Sequence, residues 1–160
     1  MRLSSLADYA VVMMSAAARH CGQAGLRTAS DPEARGRLNA TLIADETGLP
    51  LPTAQKLVSR LSSAGLIESA RGTGGGFRLA RPAAAISLAD IIEAVEGPIQ
   101  MTSCVEGSRH DCAIEGNCQV RPHWGVVNEA VRGALAGVSL ARLSRAPIHD
   151  PIPALIGEQV

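Results

Sequence analysis

A mainly helical chain with one small β-hairpin is the fold class this sequence predicts, and three observations carry that expectation. Aromatic residues make up only 2% of the chain while Ala, Val and Leu abound, which favours close packing of small-residue helices over a sandwich of aromatic strands. Apolar residues recur at helical spacing in five stretches. A glycine-rich segment, GTGGG at 72–76, separates two short strand-like runs. With 160 residues and 46% hydrophobic content, the chain has apolar surface for one domain with an extension, or for two small lobes, and folding needs no disulfide.

SSLADYAVVMMSAAARHC, residues 4–21, reads as the first helix, capped by Ser4 or Ser5, with Leu6, Tyr9, Ala10, Met13 and Ala17 on its buried face. The polar, turn-rich stretch 22–40 reads as a loop. A short helix follows in NATLIADETGL, capped near Asn39 or Thr41 and stopped by Gly48. In LPTAQKLVSRLSSAGLIE, Pro52 suits a first helical turn, Ala54, Leu57, Val58 and Leu61 form the buried stripe, and Gly65 ends the helix. Two helices joined by so tight a turn make a helix-turn-helix. The outer face of the second offers Thr53, Gln55, Lys56, Ser59 and Arg60, side chains that can bond base edges or phosphates.

Strands are expected at Ile67 to Ala70 and Phe77 to Ala80, a hairpin of the kind called a wing, loaded by Arg71, Arg78 and Arg81. GTGGG could instead cradle a nucleotide phosphate, but no Gly-Lys-Ser/Thr follows and no helix starts there. ISLADIIEAVEG gives another helix, with Ser87 as N-cap, Asp90 in its first turn, and Leu88, Ile91, Ile92 and Val95 facing in. A long helix opens at Pro122. Its Trp124, Val127, Val131, Ala134, Val138 and Ala141 step by threes and fours as a dimerisation seam, and Gly125, Gly133 and Gly137 allow close backbone approach. The organisation expected is therefore 1–82 for DNA binding, 83–145 for the cysteine loop and dimerisation helix, and 146–160 as a disordered tail.

Formal charge is zero, but residues 1–85 carry ten Lys+Arg against six Asp+Glu, and residues 86–160 carry five against nine. The mildly basic N-terminal half suits a polyanion. The run AVVMMSAAARHC lacks the basic start of a signal peptide, and no segment reaches the roughly 18 to 20 apolar residues of a membrane span. A cytoplasmic protein with reduced thiols and no membrane partner is expected.

Three of the four cysteines, Cys104, Cys112 and Cys118, fall in CVEGSRHDCAIEGNC, with seven and then five residues between them. The odd count disfavours disulfides. Zinc on three thiolates plus His110 or His123 is open, although no close Cys knuckle is present. Thiolates also select iron-sulfur clusters, which tolerate wider ligand spacing. Spacing alone leaves zinc and cluster near even, with unliganded thiols third. A cysteine enzyme would need an oriented base, and only His110 lies near Cys112 in sequence, so no enzyme is expected. An electron-transfer protein would have no use for a wing.

Taken together, RLSSLADYA, LPTAQKLVSRLSSAGLIESARGTGGGFRLAR, ISLADIIEAVEG and the cysteine trio resemble the winged helix-turn-helix transcription regulators that sense iron-sulfur clusters, the IscR, NsrR and RirA type, with a look of the SUF-operon regulators. The resemblance covers Met1 to about Ser144. It implies a homodimer on a near-palindromic site in double-stranded DNA, with recognition helices in the major groove and wings at the flanking minor grooves. Carried over by position, it implies DNA contacts from Thr53, Gln55, Lys56, Ser59, Arg60 and Arg71, and cluster ligands at Cys104, Cys112 and Cys118. IscR-like members place a histidine where this chain has Arg121. NsrR-like members supply a carboxylate from the position of Asp8, so the implied fourth ligand is Asp8 across the dimer, with His123 and His110 as alternatives. A four-iron cluster is expected ahead of a two-iron one, in a repressor of cluster-assembly or iron-homeostasis genes that binds DNA when loaded. Cys21 has no counterpart in the motif. A zinc-binding or thiol-redox regulator is the alternative.

Overall fold

The computed structural model describes residues 3–24, 38–70, 75–105 and 109–145, the side chains of 21–24 excepted. Arg71, the side chain of Cys21, most of the expected 22–40 loop and the tail from 146 therefore lie outside the described residues. The fold is mainly helical with a two-stranded antiparallel sheet, as the composition predicts.

Helix α1, Ser5–Ala24, is the central post. The Ser4 hydroxyl accepts from the Ala7 amide at 3.2 Å and caps its start. Ala7, Ala10, Met13, Met14, Ala16, Ala17 and Ala18 are all buried, a wider face than one stripe. Alanines let neighbouring helices approach on two sides at once. Tyr9, expected inside, is 37% exposed, because it sits at the edge of the arc centred on Ala10 and Met13.

Helices α2, Ala40–Thr47, and α3, Leu51–Ser63, form the helix-turn-helix. Asn39 caps α2, its Oδ1 accepting from the Leu42 amide at 2.6 Å, and Gly48 at φ 72° ends it in a left-handed turn that side chains with a Cβ resist. Ala54, Leu57 and Leu61 of α3 are buried while Val58 is half-buried. The C-terminal end of α1 is tied to α2 by Glu46, which takes Arg19 at 2.9 Å and the His20 ring on its other oxygen. Those two hydrogen bonds, His20 first and Arg19 second, hold the Glu46 carboxyl below its ordinary value of 4.5. A depressed carboxyl stabilises the fold above its unfolded value and loses that contribution as pH falls through its folded value. Since these side chains are largely solvated, Glu46→Gln is expected to cost about 0.2–1 kcal/mol at pH 7. In urea titrations the gap to wild type should close below about pH 4.5.

Strands β1, Ile67–Ala70, and β2, Gly76–Leu79, pair antiparallel with Ile67 opposite Leu79. The second strand sits one residue earlier than expected. The shift is one of strand ends only, since the Ala80 amide still donates to the Leu66 carbonyl at 3.0 Å, and Leu38 adds to the hairpin by exchanging both backbone hydrogen bonds with Phe77, at 2.7 and 2.8 Å. Phe77, 1% exposed, then plugs the core beneath the hairpin.

Helix α4, Leu88–Glu96, opens with a full capping box in which Ser87 and Asp90 satisfy each other's backbone amides. Ala89, Ile91, Ile92 and Val95 are buried and Leu88 is half-buried. One continuous core draws on residues from Ala7 to Leu140 and so crosses residue 82.

The single long helix expected from Pro122 is two pieces. Helix α5 spans Arg121–Ala136, Gly137 ends it, and α6, Leu140–Leu143, follows. Between them the backbone pairs with the start of α4, Leu88 donating to the Val138 carbonyl at 2.8 Å and Leu140 to the Ile86 carbonyl at 2.7 Å. That pairing satisfies the peptide groups a helix would otherwise have satisfied, and it delivers Leu140 fully into the core. Val138 and Ala141 therefore leave the expected seam.

Candidate nucleic-acid interface and cysteine loop

The candidate residues fall on two segments, the helix-turn-helix with its wing and the loop from α4 to α5. On the first, α3 presents Gln55, Lys56, Ser59 and Arg60 exposed and Thr53 half-buried. Between α3 and the hairpin runs a groove of about 560 Å³, polar at Asn39, Gln55, Ser59, Ser62 and Ser69 and floored by Phe77. Ser62 and Ser69 face each other across it at 3.1 Å. A pair of hydroxyls uses one O–H between them and keeps the other for a ligand such as a phosphate oxygen.

The wing's cations are less free than the sequence suggests. Both Nε and Nη2 of Arg78 donate to one carboxylate oxygen of Glu68, at 2.8 and 2.6 Å, directly across the strand pair. Arg81 lies 3.8 Å from Asp90. Burial raises the Asp90 carboxyl, but the hydrogen bonds from Ser87 and the charges of Arg81 and Arg132 outweigh it, and the net shift is downward. Arg60 also has a partner: its guanidinium donates to the backbone carbonyl of Val95, near the end of α4.

The second group is the loop from α4 to α5. Its stem is anchored. Val105 is buried, the Met101 amide donates to Asn128 of α5 at 3.0 Å, and Arg132 of α5 makes a two-pronged bond to Glu93 of α4 at 2.8 and 3.1 Å. Cys104 is half-buried with the Thr102 hydroxyl 3.2 Å from its sulfur, Cys112 is exposed, and Cys118 is half-buried where the chain enters α5. All three are free thiols.

Glu115, which no motif in the sequence singles out, organises this segment. Its Oε1 lies 2.8 Å from Nδ1 of His110 and 3.0 Å from Nη2 of Arg121, and its side chain is only 14% exposed. An acid midway between Cys112 and Cys118, with basic residues on both sides, is the signal that could have found it. His110 has φ 52°, a conformation rare for a residue with a side chain. His123 is exposed in the first turn of α5, and Asp8 is exposed in the first turn of α1, where a negative charge suits the helix dipole.

Among the described residues, no three His, Cys, Asp or Glu side chains stand together around a single metal position. The donor chemistry of the trio, three thiols and no competing lysine in the loop, fits an iron-sulfur cluster. Among the described residues the three thiols do not stand together around one position, so ligation requires the loop to rearrange.

A helix-turn-helix with a hairpin wing, its recognition helix exposed and its cysteines in a loop hung from the same core, defines a winged-helix transcription regulator. Comparison with known proteins gives the family: the model of Rrf2, an iron-dependent transcriptional regulator, matches residues 3–146, and the chain belongs to that family. It is 31% identical to the HTH-type transcriptional regulator IscR of Photorhabdus laumondii over 143 residues, 89% of this chain and 79% of that one. Among solved structures, T. potens IscR superposes with a TM-score of 0.62 at 26% identity, covering 89% of this chain and 85% of that one. CymR, the global cysteine regulator of B. subtilis, superposes with a TM-score of 0.64 at 28% identity, covering 90% and 96%. The chain is thus a DNA-binding transcription regulator and not an enzyme. No described helix is long and apolar enough to cross a membrane.

Proposed function

We propose that this chain is a cytoplasmic, homodimeric repressor of cluster-assembly or iron-homeostasis genes whose affinity for a near-palindromic operator is set by an iron-sulfur cluster on Cys104, Cys112 and Cys118. The observation that carries the reading is the position of the three thiols, in one loop that leaves α4, is bonded at Met101 to Asn128 of α5, and enters α5, itself tied to α4 through Arg132 and Glu93. Residues 1–82 bind DNA, 83–145 sense and dimerise, and 146–160 form a tail. Asp8 of a second copy is the fourth ligand we favour, ahead of His123 and His110, and four irons ahead of two. A bound cluster would supply a labile, redox-active centre whose loss is the signal. The protein's part is mechanical. Bringing the three thiols onto one centre would rearrange the loop, reset the Glu115 clamp on His110 and Arg121, and so change the tension between the end of α4 and the start of α5. If Asp8 joins from the other subunit, the same closure fixes the angle between the two recognition helices.

Anaerobic purification with an absorption spectrum and quantitation of iron, acid-labile sulfide and zinc tests this. About four irons and four sulfides per chain are expected for a thiolate-held four-iron centre. Zinc at one per chain without sulfide would end the cluster reading and leave the DNA-binding face standing. A thiol-redox regulator is the second reading, favoured by the exposure of Cys112 and the likeness to CymR.

On the DNA side, Gln55 and Thr53 are proposed to read base edges, Lys56, Ser59 and Arg71 to hold phosphates, and the Ser62 and Ser69 pair to seat the strand running between helix and wing. Gln55→Ala is expected to cost about 1–3 kcal/mol of discrimination at one base-pair position. Lys56→Ala should instead weaken all sequences alike and lower the slope of log affinity against log salt by about one. Binding titrations across single-substitution operators at several salt concentrations separate the two behaviours.

A further inference from the structure

The resemblance assigns Arg60 to DNA, yet one of its guanidinium nitrogens is bonded within the chain, to α4. It sits in the last turn of α3 and donates to the Val95 carbonyl in the last turn of α4. The final carbonyls of any helix lack intrahelical partners and carry partial negative charge. The Arg60 guanidinium satisfies one such acceptor on α4 and places a positive charge beside that helix end.

The chain beyond Val95 gives the contact its importance. Glu96 ends α4, Gly97 turns the chain at φ 88°, and within a few residues Met101 is bonded to α5 and Cys104 begins the thiol trio. Val95 itself is 4% exposed and belongs to the core, so its carbonyl moves only with α4. Among the described residues, Arg60 is therefore the side chain that hydrogen-bonds the recognition helix to the element from which the cysteine loop hangs.

We propose that Arg60 is a positioning residue: it sets the pose of α3 through the C-terminal end of α4, touches no base, and carries displacement of the cysteine loop to the DNA-binding face. The last clause rests on the loop being the sensor, as proposed above; the first two stand without it.

The experiment uses the full chain and an operator selected by the wild type from random-sequence DNA. Arg60→Lys, Arg60→Gln and Arg60→Ala are titrated against that operator and every single base-pair substitution of it. The expected order of affinity is Arg, Lys, Gln, Ala, because lysine keeps charge and donor, glutamine keeps only a donor, and alanine keeps neither. The alanine variant should lose about tenfold on all sequences alike, with the pattern of base preference intact and the slope of log affinity against log salt unchanged, where loss of a phosphate contact would lower that slope by about one and overturn the proposal. A loss confined to one base-pair position, or no loss at all, overturns the proposal. Lysine and glutamine report on their own should the alanine variant fail to fold. For the transmission clause, the ratio of operator affinity with and without the loaded centre should shrink toward one in Arg60→Gln while its visible spectrum is unchanged. A ratio equal to that of wild type overturns that clause. A wild type that binds no iron and sulfide fails the sensor reading instead, and the base-preference result still decides the positioning role.

Discussion

Serine at Cys104, Cys112 or Cys118 is expected to abolish the visible absorption of the anaerobically isolated protein, and each replacement alone should suffice. A cluster left with two thiolates and an exchangeable ligand is exposed to solvent and lost on purification. The fold should tolerate all three changes, since Cys112 is exposed and the other two are half-buried. Serine keeps the small polar partner that the Thr102 hydroxyl now has in Cys104. Far-ultraviolet circular dichroism and thermal midpoint are thus expected near wild type, while operator affinity falls by about 5- to 150-fold, the usual range for coupling between two sites. Cys21→Ser, outside the trio, should change neither colour nor affinity. Asp8→Ala separates the fourth-ligand alternatives: a shifted or unstable spectrum supports ligation across the dimer. Unchanged spectrum, stability and affinity would transfer that role to His123 or His110. If serine variants stay coloured, the cysteine loop is not the site.

The elements that proved legible in the sequence share a physical basis. Asn39, Gly48, Gly65, Ser87 and Asp90 act on amides or carbonyls a few residues away, so their meaning is complete within a short window. The buried faces of α3 and α4 are local in the same sense. What the sequence does not disclose depends on partners brought together by the fold. Nothing near Gly137 announces that Val138 and Leu140 will pair with the strand-like start of α4, and so periodicity alone makes α5 too long. Arg60 and Arg78 read as free cations until folding gives them Val95 and Glu68. The thiols illustrate both sides: their presence and softness are sequence properties, whereas the Glu115 clamp between them is a property of the folded loop.

The same distinction moves the surface proposed for dimerisation, and the new position is testable. Asn128 and Arg132 are held by Met101 and Glu93, which turns their side of α5, with half-buried Trp124, Val131 and Leu135, toward the chain's own core. Val126, Val127, Ala130, Gly133 and Ala134 consequently face outward. Val126 is 74% exposed and no residue of α5 is buried, so this helix covers little within its own chain. A Cβ at Gly133 would meet nothing within 4 Å, and its glycine costs the helix about 1 kcal/mol against alanine. A second copy crossing closely at that point gives the glycine a purpose. Ala130→Arg, a change an exposed helix position accepts by propensity, is expected to leave the fold intact and make the protein monomeric in sedimentation. Operator affinity should drop about 10²- to 10⁴-fold, because binding at the second half-site then ceases to be intramolecular. Gly133→Ala refines the result: a more thermostable protein that dimerises less well marks close backbone approach, whereas a stabilised, intact dimer removes the glycine from the interface. A dimer that survives Ala130→Arg places the subunit contact elsewhere, with the exposed Tyr9 and Val12 of α1 as the next surface to test.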